Sequence, residues 1–139
     1  MSALKENERS LRLAGYAALF EVPDAARDTI ERGAFRDTLA ARNRPLPLLW
    51  QHRPDTVIGH IEAAEEDMRG LRIVAVLSAA RSRAATALVR REISGLSFGY
   101  RARQAKHLGH GRRLLDIDLF EISLVTHPLQ YGARVHLIL

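Results

Sequence analysis

The chain has 139 residues, a length that suits one domain able to bury a core of its own. Its 47% hydrophobic and 27% charged residues exclude a disordered chain, and the lack of cysteine excludes disulfides, thiolate zinc sites and cysteine nucleophiles together. The net charge of +5 raises nucleic acid as a partner, yet residues 81–113 alone hold nine basic side chains against the single acid Glu92, so the remainder of the chain sums to −3. No apolar run approaches the roughly 18 residues of a membrane span. The opening MSALKENERS lacks the apolar stretch of a signal peptide, which predicts a cytoplasmic protein without a membrane partner.

Residues 1–10 read as a flexible segment and 11–139 as a single domain. LRLAGYAALF (11–20) predicts a strand bent at Gly15, and the polar stretch EVPDAARDTIERG after it a surface loop. GAFRDTLAAR has Phe35 and Leu39 four apart, the spacing of a short amphipathic helix. PLPLLWQH places Leu46, Leu48, Trp50 and His52 on one face of an extended segment, and its two prolines predict an edge strand. Residues 56–63 predict another strand. After the acids Glu65, Glu66 and Asp67, Arg69-Gly70 predicts a turn and LRIVAVLS a strand.

SRAATALVRRE (82–92) predicts a helix with Ser82 as N-cap and Gly95 beyond its end. GLSFGYRAR alternates Leu96, Phe98, Tyr100 and Ala102 against Ser97, Gly99 and Arg101. HLGHG reads as a turn and RRLLDID as a strand. LFEISLVT then alternates Phe120, Ile122 and Leu124 against Glu121 and Ser123, and a last strand falls within 135–139. Six to eight short strands with two helices predict a mostly β (α+β) fold, a barrel or a sandwich.

Three residue types suit acyl transfer: a histidine ending an apolar strand, a serine on the small-residue face of another, and an acid facing away from an apolar stripe. A serine hydroxyl is a weak nucleophile until histidine takes its proton, and the histidine works best when an acceptor fixes its tautomer. Ser97 lies between Gly95 and Gly99, whose missing side chains leave room for a peptide backbone. Spacing by itself leaves a serine hydrolase as one option among several. His107 and His110 are three apart and His52 and His60 eight apart, but no converging set of three or four ligands emerges, so neither a metal nor another cofactor is expected. Few aromatics interleave the basic stretch, which argues against single-strand nucleic-acid binding.

Five blocks in order resemble the prohead proteases of HK97-type phages and gene transfer agents: GYAALF, GAFRDTL, LLWQH with VIGH, ISGLSFGY, and LFEISLVTHP. The resemblance runs over about residues 11–135. It implies Ser97 as nucleophile, His52 as general base and acid, and Glu121 as the residue that orients His52, with His127 as the runner-up for that third place. It also implies a small closed β-barrel with one or two flanking helices, similar to the herpesvirus assemblins. The expected reaction is serine endopeptidase cleavage, through an acyl-enzyme, of the scaffolding segment of the major capsid protein or of a separate scaffold. The expected place is inside the immature capsid, in the host cytoplasm. A homo-oligomer is left open. The basic stretch near Ser97 reads as a surface for acidic scaffold helices, and the oxyanion donor as a backbone N–H near Ser97 or an arginine such as Arg101 or Arg134. Many relatives carry an acid directly after the histidine, where this chain has Arg53. The alternative is an inactive assembly factor or nucleic-acid-binding protein of the prohead interior.

Overall fold

Apolar alternation broken by turn chemistry yields eight strands and two short helices in the computed structural model, which describes residues 10–79 and 82–139. In chain order these are β1 (Leu11–Leu19), β2 (Asp28–Ile30), α1 (Arg36–Ala41), β3 (Pro47–Trp50), β4 (Arg53–Glu66) and β5 (Gly70–Leu77). Then follow α2 (Arg83–Val89), β6 (Gly95–Leu108), β7 (Gly111–Val125) and β8 (Val135–Ile138). The expected flexible segment 1–10 lies, Ser10 apart, outside the described residues.

Local sequence chemistry shapes several joints. Ser82 accepts from Ala85 N at 3.1 Å and caps α2. Asp67 Oδ1 accepts from Arg69 N and Gly70 N at 2.8 and 3.0 Å, closing the β4–β5 turn as an aspartate turn does. The strands are not all short: RRLLDID and LFEISLVT are one 15-residue strand, β7, antiparallel to the 14-residue β6. β2 was hidden in the polar loop, because three residues carry no readable period; it pairs in parallel with Arg112–Leu114 of β7.

The sheet runs β2-β7-β3-β4-β5-β1-β8, with β6 on the other side of β7. β3 is therefore central rather than an edge strand: it is parallel to β7 and antiparallel to β4. Its prolines are tolerated because Pro47 opens the strand and Pro45 precedes it, so neither removes a donor from the ladder's middle.

The expected closed barrel is not formed. β8, four residues long, pairs with β1 alone, and only an isolated bridge between Gly95 and Arg134 and a few flanking hydrogen bonds span from it to β6. Closure needs a continuous ladder with matched stagger. Here the chain enters from a turn at 131–132, and the Arg134 carbonyl is committed to Tyr16 N at 3.2 Å.

The core lies between the curled sheet's inner face and the helices. Leu13, Leu48, Leu71, Ile73, Leu96, Ile117, Ile122 and Leu124 are all sealed from solvent, each worth about 1.5–3 kcal/mol of burial. Phe35, just before α1, plugs this core and meets Phe98 edge-on at 5.4 Å between ring centroids. Ala84, Ala85 and Leu88 bury one face of α2.

Candidate active site

Alternation along β6 sends Leu96 and Phe98 into the core and leaves Ser97 and Gly99 on the opposite face. The ladder sets Ser97 against Ser123 and Gly99 against Glu121, and directly opposed residues share a face. Leu49 of β3 is in register with Ser123. Nucleophile candidate, buried serine and acid candidate thus form one small patch across two strands.

His52 comes to this patch by a tight turn rather than along a strand face, which corrects the expected alternation with Leu48 and Trp50. Trp50 pairs with Arg53, so Gln51 and His52 are the two central residues of a β-hairpin, with φ of 52° and 59°. Two-residue hairpins favour left-handed central residues because that twist matches the strands, though glycine and asparagine fill them most cheaply. This turn is held from outside. Gln51 N donates to Leu124 O at 3.0 Å and His52 N to Ser123 Oγ at 3.1 Å. The Gln51 amide donates to Thr126 Oγ1 at 2.6 Å and accepts from Thr126 N at 3.1 Å.

The turn aims the His52 ring back over the sheet, where Nδ1 lies 2.5 Å from Glu121 Oε1. The Glu121 side chain is 13% exposed and that of His52 42%. A carboxylate at Nδ1 favours the tautomer that carries its proton on that nitrogen and has the lone pair at Nε2. Glu121 Oε2 accepts from Ser123 Oγ at 2.6 Å.

Ser97 is 7% exposed. Its hydroxyl makes no hydrogen bond among the described residues, to His52 or to any other group, and no buried side-chain polar atom there lacks a partner, so Oγ keeps contact with solvent. An unliganded site often leaves this bond long, to be tightened by substrate.

The glycines beside Ser97 serve the fold rather than leaving room for substrate. A Cβ on Gly95 would press on Val125 O and Pro128, and one on Gly99 would overlap the Glu121 carboxylate. His127 is exposed in the bend after β7, and it is Glu121 that reaches His52. Phe120 does not join the apolar stripe: a register shift between Gly99 and Tyr100 pairs them with Glu121 and Leu119, and the skipped Phe120 turns outward, 50% exposed.

Neither arginine considered as oxyanion donor is hydrogen-bonded to Ser97. Arg101 pairs with Asp118 at 3.3 Å, whereas Arg134 donates to Tyr131 O and Ser94 Oγ and stacks on the Tyr131 ring. The basic stretch is not one face either. Arg101, Arg103, Arg112 and Arg113 are neutralised by Asp118, Asp116, Asp28 and the pair Glu21 and Glu31. Arg83, Arg90 and Arg91 lie on or just after α2, while Lys106 lies near the β6–β7 tip; Arg81 is outside the described residues. Beside the turn, a groove of about 320 Å³ is lined by Trp50, Thr56, Ile58, Ser82, Arg83 and Ala84.

Comparison with known proteins decides the family. The family model described as caudovirus prohead serine protease matches residues 1–139. The chain belongs to the caudovirus prohead serine protease family. It is 30% identical over 128 residues to the prohead protease of Enterobacteria phage HK97, covering 87% of this chain and 57% of that protein. It is 27% identical over 124 residues to the capsid polyprotein of Pseudomonas phage PAJU2, covering 81% of this chain and 18% of that protein.

Among solved structures, the varicella-zoster virus protease superposes with a TM-score of 0.63 at 20% identity, over 91% of this chain and 63% of that one. The KSHV protease in complex with a hexapeptide phosphonate inhibitor gives a TM-score of 0.59 at 15% identity, over 94% and 65%. At these identities the likeness shows a shared fold. The chain spans less than two thirds of the length of each of these four relatives.

Proposed function

We propose that this prohead-protease-family chain is a capsid-maturation serine endopeptidase, with Ser97 as nucleophile, His52 as general base and acid, and Glu121 as the residue that orients His52. The observation that carries this reading is the 2.5 Å contact of His52 Nδ1 with Glu121 Oε1, near a serine hydroxyl without a hydrogen-bond partner among the described residues. The substrate is the scaffolding segment of the major capsid protein or a separate scaffold, cut inside the immature shell.

In the proposed reaction, substrate draws Ser97 Oγ and His52 Nε2 together. Oγ attacks the scissile carbonyl carbon as Nε2 takes the hydroxyl proton, and Glu121 stabilises the imidazolium through Nδ1–H. The tetrahedral intermediate collapses, the C–N bond breaks, and Nε2 returns the proton to the departing amine. Water then hydrolyses the ester by the same proton relay.

An extended substrate has an edge to pair with. Leu96 N donates to Ala133 O, away from β7, and the β6–β7 register is unbroken from Gly95 to Gly99, so the Phe98 N–H and C=O also face the side of β6 that bears no strand. Main-chain pairing there would bring a peptide past Ser97.

Co-expression with a major capsid protein from the same source genome, comparing wild type with Ser97→Ala, tests the function. Shortened capsid protein with wild type and full-length capsid protein with the variant is the expected result. Equal lengths in both would sink it, and a salt-sensitive DNA gel shift in that case would favour the assembly-factor reading.

A further inference from the structure

Ser123 is sealed from solvent at the middle of three strands, between Ser97 on β6 and Leu49 on β3. A buried hydroxyl costs stability unless it is bonded, and this one is bonded twice, to the proposed base and to the acid proposed to orient it. Its O–H donates to Glu121 Oε2 at 2.6 Å, and its oxygen accepts from the His52 backbone N–H at 3.1 Å.

These bonds divide the Glu121 carboxylate between two tasks. Oε2 is anchored to Ser123, which turns Oε1 towards His52 Nδ1. Without the anchor the carboxylate can rotate about its last torsion, a broad and weakly restrained one. The other bond reaches the histidine's own backbone, in a turn with two consecutive side-chain-bearing residues in the left-handed region. Such a conformation persists only when its surroundings over-determine it. One hydroxyl thus ties acid and base to each other independently of the bond between them.

We propose that Ser123 is a positioning residue of the reaction: it sets the carboxylate rotamer of Glu121 and the seat of His52, and so the imidazole orientation that Ser97 needs. This rests on the catalytic roles assigned above. A serine that merely fills the sheet would affect stability and leave turnover alone, whereas a positioning serine affects turnover at unchanged substrate affinity.

The test uses the whole chain with p-nitrophenyl acetate as probe substrate and diisopropyl fluorophosphate as probe of the nucleophile. Proton NMR reads the His52 Nδ1–H, whose short bond to a carboxylate places it far downfield. Ser123→Ala is expected to lower kcat about 10–100-fold with KM within twofold, to slow fluorophosphate labelling in parallel, and to weaken or shift the Nδ1–H signal. Ser123→Thr, which restores the hydroxyl, is expected to recover most of the rate and the signal. If Ser123→Ala does not fold, Ser123→Cys takes its place, being nearly isosteric with a poor donor, and the same losses are expected.

A folded Ser123→Ala or Ser123→Cys protein with wild-type kcat and an unchanged Nδ1–H signal overturns the proposal. Ser97→Ala separates the two levels. If it is inert while the Ser123 variants are unaffected, only the role of Ser123 falls; if Ser97→Ala turns over and is labelled like wild type, the triad falls and the role of Ser123 with it.

Discussion

The carboxylate of Glu121 fills the space that a side chain on Gly99 would occupy, and the two residues are directly opposed across the β6–β7 ladder. The obstacle is the end of a flexible side chain rather than backbone, so Gly99→Ala can be accommodated by turning the carboxylate away. That movement takes Oε1 from His52. Gly99→Ala is expected to fold but to melt below the wild-type temperature, since the displaced carboxylate leaves the buried Ser123 hydroxyl without its acceptor, a loss of about 1–3 kcal/mol that the gain of roughly 0.5–1 kcal/mol from alanine in a strand only partly offsets. Its kcat should fall about 10–100-fold. Wild-type turnover on p-nitrophenyl acetate would refute this account of the glycine.

Removal of the proposed triad members should follow the hierarchy of their roles. Ser97→Ala and His52→Ala are each expected to lose up to about 10⁶-fold in turnover. Glu121→Gln keeps the shape but presents its amide or carbonyl in place of a carboxylate, and is expected to cost about 10⁴-fold. Capsid cleavage and fluorophosphate labelling should fall together. A Glu121→Gln protein within tenfold of wild type would remove Glu121 from the mechanism.

Gln51 gives a way to separate the strain of the turn from its anchoring. Its amide is bonded to Thr126 in both directions, while its φ of 52° suits asparagine better than glutamine. Gln51→Asn improves the local conformation but is one methylene too short for Thr126. It is therefore expected to keep stability within about 1 kcal/mol, the worth of a typical hydrogen bond. Turnover is expected to drop roughly tenfold, as in Gln51→Ala. Chemical denaturation and kcat measured on the same samples decide it; wild-type kcat in both variants would show that the amide plays no part.

Acid sensitivity is expected from Asp28, which is 4% exposed and gripped by Arg112, Nε to Oδ1 at 3.0 Å and NH2 to Oδ2 at 2.9 Å. Hydrogen bonding to Arg112 holds the Asp28 carboxyl below its ordinary range, against the opposing effect of burial. A depressed carboxylate pKa stabilises the fold above the unfolded value of about 3.9, and this is lost as pH falls through the folded value. Neighbouring Asp24 has the opposite sign: burial raises its pKa, so it favours the fold in acid and loses that contribution as pH rises through the raised value. Arg112→Ala is expected to cost roughly 2–3 kcal/mol at pH 7, less than the about 3–5 kcal/mol of a fully buried pair because the guanidinium is 38% exposed. The gap to wild type should narrow below about pH 4. Melting curves from pH 7 to pH 3 with a constant gap would contradict this.

Local chemistry in the sequence was enough to locate most of the fold. Ser82 as a cap, Arg69-Gly70 at a turn, LRIVAVLS as a strand and the apolar alternation along β6 are signals confined to a few neighbouring residues, and each matches the structure. The same reading missed β2, whose three residues carry no period, and placed β3 at an edge because proline rules do not say which strands will flank a short segment. Phe120 looked like core because alternation assumes an unbroken ladder, and a bulge is set by the partner strand.

The site divides along the same line. From one-dimensional pattern came a small cysteine-free basic domain, Ser97 on the small-residue face of its strand, Glu121 and Ser123 on one face of another, and His52 at the end of an apolar run. The ordered blocks came with their family resemblance. Tertiary structure decided that four of the nine basic residues of 81–113 are paired with acids, two on the neighbouring strand β7 and the others on the distant segment 21–31, and that Gly99 makes room for a carboxylate rather than a substrate. It also decided that His52 turns back through a left-handed hairpin to meet an acid 69 residues away, over a buried serine that grips both. The net charge of +5 that raises nucleic acid as a partner describes only the chain's total. Hydrogen bonds and ion pairs depend on distances of a few ångströms, and those are set by which strands lie side by side, a property that no local window of sequence contains.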